Sequence, residues 1–349
     1  MINNPFNISF GKKPHQYISR FLSSHKIKDT FLSDYPSTQV YLLTGIRGSG
    51  KTVLMTEIMN DFREGKDWIV VELNPETDLL EDLAAKLYNI SSLRNIFLKA
   101  KIDLSVFGLG VNIEKGKQIT NIEAAIERML KELKKKKKKL LIAVDEVTNQ
   151  KNVRVFAAAF QIFIRQEYDL FLIMTGLYEN IFELQNEKTL TFLYRAPKIV
   201  LDPLNAHAIT LSYKEIFNIS EEEAAAMSKA TNGFAFAYQA LGYIKWEHKT
   251  FPLEKLYPEY DQYLAEFVYD KIWMELSLKD KQVIKAMTDS EVTKVCDLLE
   301  KTGMSSSLFS SYRDRLSKKG LINTQIYGHL SLVLPRFREY ALRKKAQEE

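Results

Sequence analysis

The chain has little of several things, and each shortage excludes something. One cysteine, Cys296, in 349 residues rules out an intrachain disulfide and fits a reducing cytosol. It falls on an apolar helical pattern and is expected to be a small buried hydrophobe rather than a nucleophile. No apolar run approaches the length of a membrane span. Met1 to Phe10 have no apolar signal core, so a cytoplasmic, membrane-free protein is expected. Net charge is only +5, which permits a polyanionic partner without arguing for one. No Asn-Lys-x-Asp stretch of the kind that selects guanine is found, which weighs against a GTPase. Hydrophobic content of 46% and charged content of 27% are ordinary for a globular chain, and the length suffices for two or three cores.

What is present centres on Gly45-Ile46-Arg47-Gly48-Ser49-Gly50-Lys51-Thr52, a complete G-x-x-x-x-G-K-[ST] loop. Val40 to Thr44 before it read as a buried strand. Val53 to Phe62 after it read as a helix with Leu54, Ile58 and Phe62 on one face. A strand, a glycine turn and a helix start direct backbone N–H groups and a helix dipole at one point, where a polyphosphate binds. Gly45 to Val53 are therefore the expected nucleotide contacts. Lys51 is expected at the β- and γ-phosphates and Thr52 at Mg²⁺.

Leu140-Leu141-Ile142-Ala143-Val144-Asp145-Glu146 reads as a central strand with two carboxylates at its C-terminal end. Following a P-loop, this is the Walker B pattern: Asp145 holds Mg²⁺ and Glu146 polarises the attacking water. Trp68–Leu73 and Leu170–Gly176 read as further core strands, and Lys198–Leu201 as a closing edge strand. Thr175 is either a sensor of the γ-phosphate or attacking water, or a buried strand-end threonine. Arg195 is either a stabiliser of transition-state charge, in cis or from a neighbouring subunit, or a surface ion pair. Upstream, Phe21, Leu22, Phe31 and Leu32 read as apolar faces of a helix. Tyr17 and Ile18 form either an adenine wall or part of an arm packed on the core, and Arg20 reaches a phosphate or a core carboxylate. Residues 101–118 alternate like a short hairpin. The six lysines Lys134–Lys139 fit a solvated helix C-terminus better than a nucleic-acid contact.

Residues 205–247 read as helical, with Glu221, Glu222 and Glu223 in one first turn, and Pro252 and Pro258 as linker markers. Beyond them, Lys279–Met287, Val292–Lys301 and a helix opening at Ser305 precede two short strands around Tyr327-Gly328-His329. The third helix is expected to face Leu308, Phe309, Tyr312 and Leu316 inward. Three helices and a hairpin describe a winged helix-turn-helix. From Ser305 onward nine Lys/Arg face four acids, a net of +5, where a recognition helix would meet DNA. The expected fold is α/β: a P-loop NTPase parallel sheet of RecA/AAA+ type with a helical lid and a C-terminal winged helix-turn-helix. The expected domains are an arm (1–36), an ATPase core (37–204), a lid and linker (205–271) and the winged helix (272–349).

The chain resembles the AAA+-related P-loop ATPases of prokaryotes, archaeal-type or origin-recognition-like, near the STAND signalling clade. The resemblance rests on Asn4-Pro5-Phe6 with Phe10-Gly11 and Arg20, on Leu42 to Thr52, on Val144-Asp145-Glu146, on Thr175-Gly176-Leu177, on Leu193-Tyr194-Arg195-Ala196 and on Leu201–Leu204. It implies ATP/ADP as ligand, Mg²⁺-dependent hydrolysis, a helical lid, and a winged helix used on double-stranded DNA through residues 305–345, with homo-oligomerisation within the family's range. One departure stands out: Asn232-Gly233-Phe234-Ala235-Phe236-Ala237 holds no arginine where many AAA+ proteins keep a sensor arginine. Slow turnover and a switching role for nucleotide follow from that. The competing expectation is a STAND-like ATPase whose winged helix docks protein and whose ATP state drives self-assembly.

Overall fold

The apolar runs read as strands assemble into one parallel sheet. A computed structural model describes residues 3–9, 14–100, 102 and 121–347. The chain divides into two compact units that do not follow chain order.

One unit comprises Phe21–Thr44 and Leu54–Val200. Its elements are α1 (Phe21–Leu32), β1 (Val40–Thr44), α2 (Lys51–Arg63), β2 (Trp68–Leu73), α3 (Leu79–Asn89), α4 (Ser91–Lys99), α5 (Ile122–Lys135), β3 (Lys139–Val144), α6 (Lys151–Arg165), β4 (Leu170–Gly176), α7 (Tyr178–Gln185), α8 (Thr191–Arg195) and β5 (Lys198–Val200), with α2 beginning in the other unit. The sheet order is β2-β3-β4-β1-β5, parallel throughout. β1 and β4 are buried along their whole length, as a strand covered on both faces must be. At the edges, β5 exposes Lys198 and Val200, and β2 exposes Glu72. β4 lies between β3 and β1, so the strands bearing the two sequence motifs are not neighbours.

The other unit comprises Met1–Arg20, Gly45–Val53 and Leu201–Glu349. It continues with α9 (Ala206–Phe217), α10 (Glu221–Thr231), α11 (Ala235–Glu247), α12 (Leu253–Leu264), a π-helical turn at Ala265–Tyr269, α13 (Asp270–Met274) and α14 (Leu278–Ala286). β6 (Val292–Lys294), α15 (Val295–Thr302), α16 (Ser306–Lys318), β7 (Ile322–Asn323), β8 (His329–Leu332) and α17 (Phe337–Ala346) complete it. Side chains of Asn205, Ser220 and Ser305 accept from main-chain N–H groups and so open α9, α10 and α16. The three C-terminal strands form an antiparallel sheet, order β6-β8-β7, beside α14, α15 and α16: the winged helix-turn-helix arrangement.

The N-terminal arm is anchored in this unit. Phe6 is buried against Tyr213, Phe217 and Tyr238, and a side chain on Gly242 would collide with its ring. Asn4 Nδ2 donates to the Tyr243 carbonyl at 3.3 Å, and Gln239 Oε1 accepts from the Asn7 N–H at 3.0 Å. The Asn-Pro-Phe segment thus fastens the arm to α11.

Several expectations are corrected. Of the four apolar residues expected on the faces of α1 only Phe31 is buried, with Ser24 and Ile27 beside it, while Phe21, Leu22 and Leu32 are exposed. Pro252 and Pro258 do not mark a linker: Pro252 precedes the first turn of α12, and Pro258 lies inside that helix. Val292 belongs to β6, not to a helix, because Val292 and Thr293 pair with Ser331 and Leu330. Starting α15 later rotates its face, so Leu298 and Thr302 are buried and Cys296 is exposed. Leu308 points outward, leaving Phe309 and Leu316 as the buried face of α16. The lysine run does end α5: Lys134 Nζ donates to the Glu167 carbonyl, Lys135 pairs with Glu132, and Lys138 bonds the Lys66 carbonyl. Most of the hairpin expected at 101–118, and Phe10-Gly11, lie outside the described residues. Among the described residues no helix is long and apolar enough to cross a membrane.

Candidate active site

Gly45 continues directly from β1, and α2 starts at Lys51. Between them Gly48 and Gly50 have φ of +80° and +91° while Ser49 does not, an alternation of hand that turns successive N–H groups into one concavity. Only glycine adopts those angles without cost. At Gly48 space also decides: an added Cβ would lie 2.8 Å from the Phe234 ring and 3.2 Å from the Phe236 Cβ. Lys51 is buried, and its Nζ donates to the Gly45 and Ile46 carbonyls at 2.9 and 3.0 Å. A polyphosphate entering the loop would offer that ammonium stronger, charged acceptors. The residues present therefore fit the group. Thr52 and Val53 lie in the first turn of α2.

Three residues of the sheet unit are brought together at the ends of β3 and β4. Thr175 is wholly buried; its hydroxyl donates to Asp145 Oδ1 and accepts the Glu146 N–H at 3.1 Å. Asp145 Oδ1 also accepts the Glu146 N–H at 3.0 Å, and the Thr175 carbonyl accepts the Val147 N–H at 2.8 Å. Glu146 itself has φ of +52°, a left-handed conformation that costs a glutamate energy and persists only where its surroundings impose it. These bonds are the imposing surroundings. Thr175 thus touches the acidic pair directly, which sequence reasoning did not anticipate.

Arg195 ends α8, is exposed, and forms no ion pair among the described residues. Tyr17 is half-buried, and Ile18 packs against the apolar core of the arm-and-lid unit. Sequence reasoning also missed the partners of the P-loop. Arg47 pairs with Glu275 at 3.7 Å, the Phe236 N–H donates to the Gly48 carbonyl at 3.1 Å, and Arg20 donates to the Ser49 carbonyl at 2.8 Å. All are remote in sequence: Arg20, expected at a phosphate or a core carboxylate, bonds main-chain carbonyls instead, and no local pattern signals the partners of Arg47 and Gly48.

Residues 31–234, more than half of the chain, match the profile of an ATPase domain predominantly from Archaea. The chain belongs to that family. It is an ATPase. Within it the P-loop and the strand ending at Asp145 fall inside the matched span, and residues 266–341 match a second profile, a domain of unknown function. None of the curated proteins matches. Among solved structures, the Walker-type ATPase PABY2304 of Pyrococcus abyssi is similar at 16% identity and TM-score 0.65, over 93% of this chain and 96% of that one. Cdc6p of Pyrobaculum aerophilum is 14% identical with TM-score 0.48, over 98% of this chain and 97% of that one. The ORC1 protein of Aeropyrum pernix, solved in complex with DNA, is 13% identical with TM-score 0.45, over 97% and 95%. At these identities the likeness is one of fold, and the Pyrococcus abyssi protein carries it.

Proposed function

We propose that this ATPase is a nucleotide-controlled switch whose output is the C-terminal winged helix acting on double-stranded DNA. Lys51 and the amides of Gly45–Val53 bind the phosphates of ATP or ADP, and Tyr17 and Ile18 flank the adenine. Thr52 and Asp145 hold Mg²⁺, which neutralises charge on the phosphoryl oxygens. Glu146 orients the attacking water, Thr175 holds Asp145 and Glu146, and Arg195 supplies positive charge to the transition state.

The observation that carries the reading is that the P-loop touches the C-terminal half of its own unit. Arg47 pairs with Glu275, which closes α13 two residues before the Ser277 cap of α14, and Ile46 packs in the apolar core shared by the lid and the winged helix. A loop that shifts on binding phosphate would bias both. The test is duplex-DNA affinity at one fixed low salt with ATP and with ADP, using Lys51→Ala and Glu146→Gln as controls. Lys51→Ala is expected to lose nucleotide binding, and Glu146→Gln to bind ATP without turning it over. Equal DNA affinity in both nucleotide states sinks the switch.

A second reading, protein docking with ATP-driven self-assembly, is favoured by how the C-terminal cations are used. Arg315 pairs with Asp280, Arg336 and Arg343 with Asp261, Lys344 with Asp270, and Arg338 bonds the Thr288 carbonyl. Those charges hold the module together, while Ile326 and Tyr327 are exposed between β7 and β8. A rise in particle mass with ATP, without salt-dependent DNA retention, selects this reading.

A further inference from the structure

The P-loop is held from behind by a group that the nucleotide chemistry does not require. Arg20 Nη2 donates to the Ser49 carbonyl at 2.8 Å, and Arg20 Nη1 donates to the Asp202 carbonyl. Asp202 leads into Leu204, whose N–H donates to the Gly233 carbonyl at 2.8 Å. That junction is tight: a Cβ on Gly233 would lie 2.7 Å from Pro203 Cβ and 2.8 Å from the Leu204 carbonyl. One guanidinium therefore ties the loop to the root of the lid.

A peptide group presents its carbonyl and its N–H in opposite directions. Fixing the Ser49 carbonyl on Arg20 fixes the Gly50 N–H the other way. The Ser49 N–H is itself engaged with the Ile46 carbonyl at 3.2 Å, so the amide whose direction the Arg20 bond sets is that of Gly50. The orientation of that peptide turns on ψ of Ser49 and φ of Gly50, and Gly50, a glycine with positive φ, resists that rotation least.

We propose that Arg20 is a positioning residue of the ATPase site: it locks the Ser49–Gly50 peptide so that the Gly50 N–H faces the phosphates. The proposal rests on the P-loop reading above. Arg20's donors reach main-chain carbonyls, which places it behind the loop rather than on the ligand. Burial pushes the Arg20 guanidinium down to about 10, against the opposite pull of Asp202. It remains a cation at neutral pH and adds positive potential behind the loop.

The test compares Kd values for ATP, ADP and AMP in the full chain for Arg20→Ala, Arg20→Lys and Lys51→Ala. Arg20→Ala is expected to weaken ATP and ADP by roughly ten- to a hundred-fold, the scale of a charge-assisted hydrogen bond. AMP, which lacks a β-phosphate, is expected to change much less, so the ADP-to-AMP affinity ratio collapses. Arg20→Lys, a point-charge donor to one carbonyl, is expected to recover part of that ratio. Damage to the fold, or a role at the adenine, would lower ADP and AMP in the same proportion; that result overturns the proposal, as does unchanged ADP affinity. Where Arg20→Ala fails to fold, the ratio in Arg20→Lys decides, and an unchanged ratio overturns it. Undiminished ADP binding by Lys51→Ala strikes instead at the P-loop reading itself.

Discussion

At the scale of single residues, two backbone conformations tie sequence to chemistry. Glu146 sits at φ of +52°, where a glycine would be relaxed. Glu146→Gly is therefore expected to raise the unfolding free energy by up to about 1 kcal/mol while lowering kcat at least ~100-fold, the loss typical of a missing proton-handling group. Denaturant unfolding and steady-state turnover measured on one preparation check both halves. Gly48→Ala combines an unfavourable φ with a contact of 2.8 Å to Phe234, so loss of nucleotide binding is expected, read by ADP titration. Thr175→Val keeps the shape of the side chain but removes the donor to Asp145 and the acceptor for the Glu146 N–H. A cost of about 1–3 kcal/mol is expected for the unpaired groups, together with a higher Mg²⁺ requirement for turnover, measured by metal titration.

At the scale of elements, α14 shows how one buried acid serves two helices. Asp280 is almost wholly buried, closes a capping box with Ser277, and accepts from Arg315 of α16. The Arg315 Nη2 reaches the Ser277 hydroxyl at 2.8 Å as well. Asp280→Ala removes the cap and strands the guanidinium. Arg315 is 40% exposed and water compensates part of that loss, so about 2–4 kcal/mol is expected in urea unfolding. The neighbouring helices α15 and α16 show where local reading fails. Periodicity locates Phe309 and Leu316 on the inner face of α16, whereas Leu308 and Cys296, which spacing alone turns inward, are exposed. The start of α15, and with it the side on which Cys296 falls, depends on β6 pairing with β8, a contact between residues far apart in the chain. Pro258 misled for a related reason: tertiary packing of Leu256, Tyr260 and Leu264 sustains a helix that propensity disfavours.

At the scale of the whole molecule, the proposed switch needs a route from the P-loop to the C-terminal module, and the Arg47–Glu275 pair is the candidate. Arg47 and Glu275 are each about a quarter to a third exposed, so their pair contributes under about 1 kcal/mol to stability. Glu275→Lys is accordingly expected to leave the unfolding midpoint nearly unchanged and to equalise output binding in the ATP and ADP states. A DNA- or partner-binding titration with each nucleotide reads this directly, and a retained difference would free Glu275 from the coupling role.

The sequence by itself determined the sheet strands, the P-loop, the acidic pair after β3, the helical lid segment and the winged helix-turn-helix outline. Each is written in short-range terms: two-fold or 3.6-fold apolar spacing, glycines where φ must be positive, and capping residues at helix starts. Tertiary structure alone decided that β4 separates β1 from β3, that Phe6 anchors the arm on α11, and that Thr175 holds Asp145 and Glu146. It also decided that Arg20, Phe236 and Glu275 converge on the loop. Those contacts join residues dozens to hundreds of positions apart, and no local periodicity encodes which distant donor finds which carbonyl.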